Sequence, residues 1–175
     1  TRALVLPQGQ EILLTDTVGF IQKLPHHLVE AFKSTLEEAK YADFILHVVD
    51  MSSPRMEEQM HVVYETLRRL EVMNKPVITV FNKIDRTGEG QIVRDFQAER
   101  TVRVSARTGE HLEELLKAME EVLREQKIYI ERLYSYSEAG KVQLIRKFGE
   151  LVSEEWEENG VRIRAYVPRE IYGKV

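Results

Sequence analysis

Val77-Ile78-Thr79-Val80-Phe81, running straight into Asn82-Lys83-Ile84-Asp85, is the stretch that decides the fold. Five residues of high β propensity with one threonine as the only polar member read as a strand buried on both faces of a parallel sheet. The abrupt change to Asn, Lys and Asp then puts polar groups at the strand's carboxyl end, where open α/β sheets hold their ligands. Three other runs repeat the pattern. Phe44-Ile45-Leu46-His47-Val48-Val49, also expected to be buried on both faces, ends in Asp50; Glu11 to Thr15 ends in Asp16-Thr17-Val18-Gly19; Val102-Arg103-Val104 ends in Ser105-Ala106-Arg107. Thr1 to Leu6 pairs with Glu11 to Thr15 as a hairpin, because Pro7-Gln8-Gly9-Gln10 supplies turn chemistry.

Helical periodicity fills the intervals. Leu28, Phe32, Leu36 and Ala39 share one helix face, as do Met56, Met60, Val63, Leu67 and Leu70, and Leu112, Leu115, Leu116, Met119 and Leu123. Ser53-Pro54 offers an N-cap and a first-turn proline to the second of these, and Asn74-Lys75-Pro76 ends it. A weaker helix is expected near Ile92 to Ala98. The alternation of strand and helix predicts an α/β domain with a mostly parallel sheet and helices on both faces. After Gln126 the character changes: a strand-like Ile128 to Tyr136, a helical Gly140 to Trp156 and an alternating Val161 to Val167 predict a small α+β module over 127–175, after a first domain over 1–126. In this reading Glu150, Glu154, Glu155, Glu157 and Glu158 form the solvated face of the last helix. Arg162 and Arg164 form the polar face of a half-buried sheet.

Composition narrows the function. The 175 residues include 43% hydrophobic and 31% charged side chains, as in an ordinary soluble globular protein. A net charge of −4 argues against nucleic-acid binding through the whole surface. The absence of cysteine excludes disulfide scaffolds, Cys-based zinc sites and thiol catalysis. No apolar run reaches the roughly 18 residues that span a bilayer, and no charged-then-apolar leader opens the chain. The histidines, including the adjacent His26 and His27, have no metal-cluster spacing, and Met51, Met56, Met60 and Met73 read as packing.

The strand ends carry the chemistry. Guanine presents N1–H and an exocyclic N2 amine side by side, and a carboxylate such as Asp85 accepts from both, whereas adenine offers no such pair; an unpaired buried carboxylate is penalised, so the arrangement selects guanine. Asn82 would bind the purine's Hoogsteen edge or tie neighbouring loops together, and the Lys83 stem would lie across the base plane. Asp16 can hold magnesium through water, and Gly19 allows a backbone N–H to approach a terminal phosphate. The small Ser105-Ala106 pair lets a backbone N–H reach the guanine carbonyl. Any one of these motifs alone is more simply a polar turn; the order of all three at successive strand ends is not.

That order resembles the P-loop GTPase superfamily. The phrase Asp16-Thr17-Val18-Gly19-Phe20-Ile21 followed by Gln22-Lys23-Leu24-Pro25 looks like the HflX family specifically, a resemblance that extends through Leu36-Glu37-Glu38-Ala39 to the terminal module with Trp156. It implies a cytoplasmic GTP hydrolase that binds GTP and GDP with Mg2+, associates with the large ribosomal subunit and splits or rescues stalled ribosomes. It also implies nucleotide contacts at Asp16, Thr17, Val18, Gly19, Phe20, Asn82, Lys83, Asp85, Ser105, Ala106 and Arg107, with Asp16 as the carboxylate holding the metal through water. Phe20 stands where many regulatory GTPases carry a water-orienting glutamine, so no residue is assigned as catalytic, and the attacking water must be positioned from elsewhere. The superfamily's phosphate loop, G-x-x-x-x-G-K-[ST], is absent from the sequence. Gly140-Lys141 has Ser135 and Val142 at the first glycine and hydroxyl positions and follows the last motif. The expectation is therefore a C-terminal fragment whose phosphate loop and first strand lie upstream of Thr1, impaired in nucleotide binding and able to self-associate through exposed strand edges. The alternative is a non-catalytic scaffold that keeps only the guanine-reading corner.

Overall fold

A computed structural model describes residues 1–17, 38–87 and 93–175. Val18, Gly19, Phe20, Gln22 to Pro25, His26, His27, most of the helix expected over Leu28 to Ala39, and Ile92 lie outside the described residues. The chain divides into two compact units, Thr1–Val122 and Leu123–Val175, with the division inside a helix.

In the first unit β1 (Arg2–Val5) and β2 (Glu11–Leu14) form the expected antiparallel hairpin, Arg2 opposite Leu14 and Val5 opposite Glu11. The hairpin is a sheet of its own. The main sheet is parallel, in the order β3 (Ile45–Asp50), β4 (Val77–Asn82), β5 (Arg100–Arg103). A short helix α1 (Glu38–Tyr41) precedes it; α2 (Met56–Arg69) and α3 (Leu112–Glu125) follow β3 and β5. β4 has the burial expected of a strand covered on both faces, with Val77 through Phe81 all buried.

β3 departs from that expectation, since Val48 is 61% exposed. β3 is the outer strand of the described sheet, and residue alternation turns Val48 away from α2 while His47 and Val49 face it. The start of α2 also differs from the Ser53 cap expected. Ser53 instead accepts hydrogen bonds through its Oγ from the Arg55 N–H (3.3 Å) and through its carbonyl from the Met56 N–H (3.2 Å), making a tight turn ahead of the helix. The periodic stripe of α2 omits its most buried member: Tyr64, 1% exposed, packs with Leu67, Leu70, Val72 and Val77.

Residues 93–98 form no helix, contrary to the periodicity. The reason is Asp95, which turns inward: its Oδ2 accepts from Tyr64 Oη (2.5 Å) and Thr79 Oγ1 (2.7 Å), while its Oδ1 accepts the Gln97 N–H (3.0 Å). Asp95→Ala would leave two buried hydroxyls without their acceptor, for an expected loss of about 1–3 kcal/mol measured by urea denaturation. His47 packs edge-on against Tyr64 at 5.3 Å, and its Nδ1 has no hydrogen-bond partner among the described residues. Burial holds its pKa below the ordinary 6.5, with Asp95 opposing the shift. Folded His47 therefore stays neutral where the unfolded chain takes up a proton, so stability falls as the pH drops below about 6.5 toward the depressed folded value. Replacing His47 with Gln is expected to flatten that part of a stability-versus-pH curve.

The second unit contains β6 (Lys127–Tyr134), α4 (Ala139–Phe148), β7 (Glu150–Glu157), β8 (Gly160–Pro168) and α5 (Arg169–Tyr172). β8 lies between β6 and β7 and is antiparallel to both. Ile130, Tyr134, Val142, Ile145, Val161, Ile163, Ala165 and Val167 form its core. The helix expected from Gly140 to Trp156 stops at Phe148, where Gly149 leaves the helix with extended backbone, φ −96° and ψ 176°, and its N–H closes the last turn on the Ile145 carbonyl (2.8 Å). Glu150 to Trp156 is strand, and its glutamates are not a helix face. Glu154 pairs with Arg146, Glu155 with Arg164 (2.8 Å) and Glu157 with Arg162 (2.6 Å). No described helix is long and apolar enough to cross a membrane.

Candidate guanine-nucleotide site

Parallel pairing brings the strand ends together. Asp50, the last residue of β3, lies opposite Asn82, the last of β4, and Val104 just past β5 donates its N–H to the Phe81 carbonyl at 2.8 Å. The polar residues that follow each strand therefore share one edge of the sheet. Asn82, Lys83, Asp85, Ser105, Ala106 and Arg107 meet there.

Asn82 links two loops: its Oδ1 accepts the Lys83 N–H at 2.8 Å and the Ala106 N–H at 3.0 Å. Lys83 sits in the left-handed region, φ 69° and ψ 36°, which turns the chain into the single 3₁₀ turn Ile84–Arg86 carrying Asp85. The turn is pinned by an Ile84 N–H bond to the Val104 carbonyl (3.3 Å) and an Arg86 N–H bond to the Lys83 carbonyl (3.0 Å).

Ser105 is fully buried and donates its hydroxyl to Asp85 Oδ1 at 2.8 Å. Its Oγ accepts the Thr108 N–H (3.2 Å), so the hydroxyl proton is directed at the carboxylate. The Asp85 side chain is only 15% exposed, and Arg107 approaches its Oδ2 at 3.9 Å from a largely solvated position. A carboxylate has about four lone-pair sites. One goes to Ser105, which leaves Asp85 oriented and able to accept two parallel N–H donors. The arrangement suits a ligand edge with two adjacent donors and disfavours one that lacks them.

One contributor to the site, Asp50, belongs to none of the three motifs. Asp50 pairs with Lys83, Nζ to Oδ2 at 2.5 Å. Its position at the end of a buried strand, matching Asn82 in β4, was the available signal. Of the Asp16 group, Asp16 and Thr17 are described, both exposed just beyond β2; Val18, Gly19 and Phe20 lie outside the described residues. No cluster of three or more His, Cys, Asp or Glu able to hold a metal occurs among the described residues. A lone exposed carboxylate fits a magnesium ion held through water, which needs no cage of protein ligands.

A parallel sheet with Asn-Lys-x-Asp and Ser-Ala-Arg at adjacent strand ends, together with an Asp-x-x-Gly sequence after the strand of a separate hairpin, defines a GTPase domain of the P-loop class, here without the phosphate-loop sequence. A family model described as "50S ribosome-binding GTPase" matches residues 1–83. The chain belongs to the HflX family. It is 62% identical over 175 residues to the GTPase HflX of Lacrimispora saccharolytica, covering all of this chain and 41% of that protein. It is 41% identical to the GTPase HflX of Chlamydia pneumoniae, covering 99% of this chain and 37% of the relative. It thus spans about two fifths of the length of these relatives. Among solved structures, a crystal structure of SsGBP with GDP superposes with a TM-score of 0.59 at 28% identity, over 69% of this chain and 41% of the other.

Proposed function

We infer that this chain supplies the guanine-reading half of a cytoplasmic GTP hydrolase that acts on the large ribosomal subunit, splitting or rescuing stalled ribosomes. The observation that carries the nucleotide reading is the Asn82–Ala106 and Asp85–Ser105 pair of bonds, which ties two strand-end motifs into one preorganised acceptor. Asp85 accepts the guanine N1–H and N2–H, Asn82 holds the two loops in register, and Lys83 lays its stem along the base. Ser105 and Ala106 keep the neighbouring loop small enough for the base carbonyl to approach. Arg107 adds positive charge at the rim. The ribosomal part of the reading is supported by the description of the family that matches residues 1–83, a 50S ribosome-binding GTPase.

Asp16 would hold a magnesium-bound water and Gly19 the terminal phosphate. When bound, the metal would neutralise charge on the phosphate oxygens. Phe20 contributes no polar atom to the attacking water, so hydrolysis depends on a group supplied by another loop or by the ribosome. Full-length protein without ribosomes is expected to turn over GTP slowly and to accelerate on adding large subunits, followed by phosphate release; a fast ribosome-independent rate would overturn this.

The phosphate-loop backbone supplies most of the phosphate binding in this class. Titration of the 175-residue chain with labelled GTP and GDP is therefore expected to show affinity weaker than micromolar. Micromolar binding by these residues alone would overturn the dependence on that loop. Complete loss of guanine preference in the full-length protein would leave the scaffold reading.

A further inference from the structure

We propose that Asp50 is a positioning residue for guanine recognition, acting through Lys83. The inference rests on the assignment of Asn82–Asp85 as the base-reading turn and extends it to a residue on a different strand.

Lys83 is held at both ends in a conformation it would not otherwise favour. A non-glycine residue at φ 69° is uncommon, and such backbone persists where surrounding contacts over-determine it. The backbone end is fixed by the bond from the Lys83 N–H to Asn82 Oδ1, and the ammonium end by the 2.5 Å contact to Asp50 Oδ2. Asp50 is itself oriented. Its Oδ1 accepts both the Ser52 N–H (3.0 Å) and the Ser52 Oγ–H (2.6 Å), a local turn that leaves Oδ2 pointing at Lys83. The Lys83 bond and the Ser52 bonds hold the Asp50 carboxyl below the usual carboxylate range, so it is charged near neutrality.

The register explains why this pair can form. Asp50 and Asn82 are cross-strand partners, so residue 83 is one step beyond Asp50 along the shared sheet edge. The ammonium is drawn toward β3, which fixes the course of the four-carbon stem beside the turn. A base seated on Asp85 then meets a stem already in place, whereas a free lysine would have to be ordered when the nucleotide binds. Asp50 does not need to touch the nucleotide to have this effect.

The test measures GDP and ADP affinity of the full-length protein by titration, in a double-mutant cycle. Asp50→Asn is expected to weaken GDP binding about two- to fivefold, the range for a partly exposed ion pair, and to leave the melting temperature nearly unchanged. In a Lys83→Ala background the same change should have no further effect, because the group through which Asp50 acts is gone. Ser52→Ala removes the 2.6 Å bond without touching the core and should give a smaller loss in the same direction, again abolished by Lys83→Ala. That variant serves if Asp50→Asn fails to fold. Unchanged GDP affinity in both variants, or an equal loss with and without Lys83, overturns the proposal while the base-reading assignment stands. ADP binding as tight as GDP in the unsubstituted protein overturns the assignment and this proposal with it.

Discussion

Asp85→Asn in the full-length protein is expected to lower GDP affinity by about two orders of magnitude or more and to shift preference toward xanthine nucleotides. The direction follows from donor and acceptor counting. Guanine brings two N–H donors to a carboxylate that Ser105 already orients from its other side. An amide at this position keeps one acceptor, which the Ser105 hydroxyl occupies, and presents an NH2 group toward the base. The guanine N2 amine then faces a donor. Xanthine carries a carbonyl at that carbon, so it gains the bond that guanine loses. Competition of GDP and XDP against a labelled guanine nucleotide reads both changes; retention of guanine preference would remove Asp85 from the recognition site.

Gly160→Ala is expected to cost about 3 kcal/mol or more in the C-terminal unit. Gly160 opens β8 at φ 152°, and a Cβ there would lie 2.0 Å from the Tyr134 carbonyl oxygen and 2.8 Å from its carbonyl carbon. Those are backbone atoms at the end of β6, so no side-chain rotation relieves the clash. Relief requires moving β8 away from β6, where Val161 is paired with Tyr134 and Ile163 packs in the core. Hydrogen exchange is the sharper readout, since amides of β6 and β8 should lose protection while those of β3 and β4 keep theirs. Retained protection in β6 and β8 would mean that the added methyl group is accommodated without separating the strand pair.

The parts of the fold legible from the sequence were those whose signal is local. A nearly continuous apolar run of five residues, broken only by Thr79 and ending in polar ones, marks β4 and its reading loop, because burial on two faces demands such a stretch. The same rule overreached at β3. Val48 belongs to such a run, yet its burial depends on what covers an outer strand, which no property of the run encodes. Glu150 to Trp156 shows the converse error. Its apolar residues continue the helical spacing of α4, and only the extended backbone at Gly149 and the pairing with β8 convert the segment to a strand. For Ile92 to Ala98 the competing term was one buried carboxylate. Tyr64 and Thr79 lie 31 and 16 residues away from Asp95, so no short window contains the partners that draw it inward.

The candidate site divides along the same line. The order of Asp-x-x-Gly, Asn-Lys-x-Asp and Ser-Ala-Arg along the chain determined the class of protein and the residue types offered to a guanine nucleotide, because donor and acceptor chemistry belongs to the side chains themselves. Tertiary structure decided how those groups are held: that Ser105 turns its hydroxyl to Asp85, that Ala106 closes a loop onto Asn82, and that Asp50 draws Lys83 across the sheet edge. These bonds join residues 20, 24 and 33 positions apart, and they exist only because parallel pairing brings separate strand ends to a common edge.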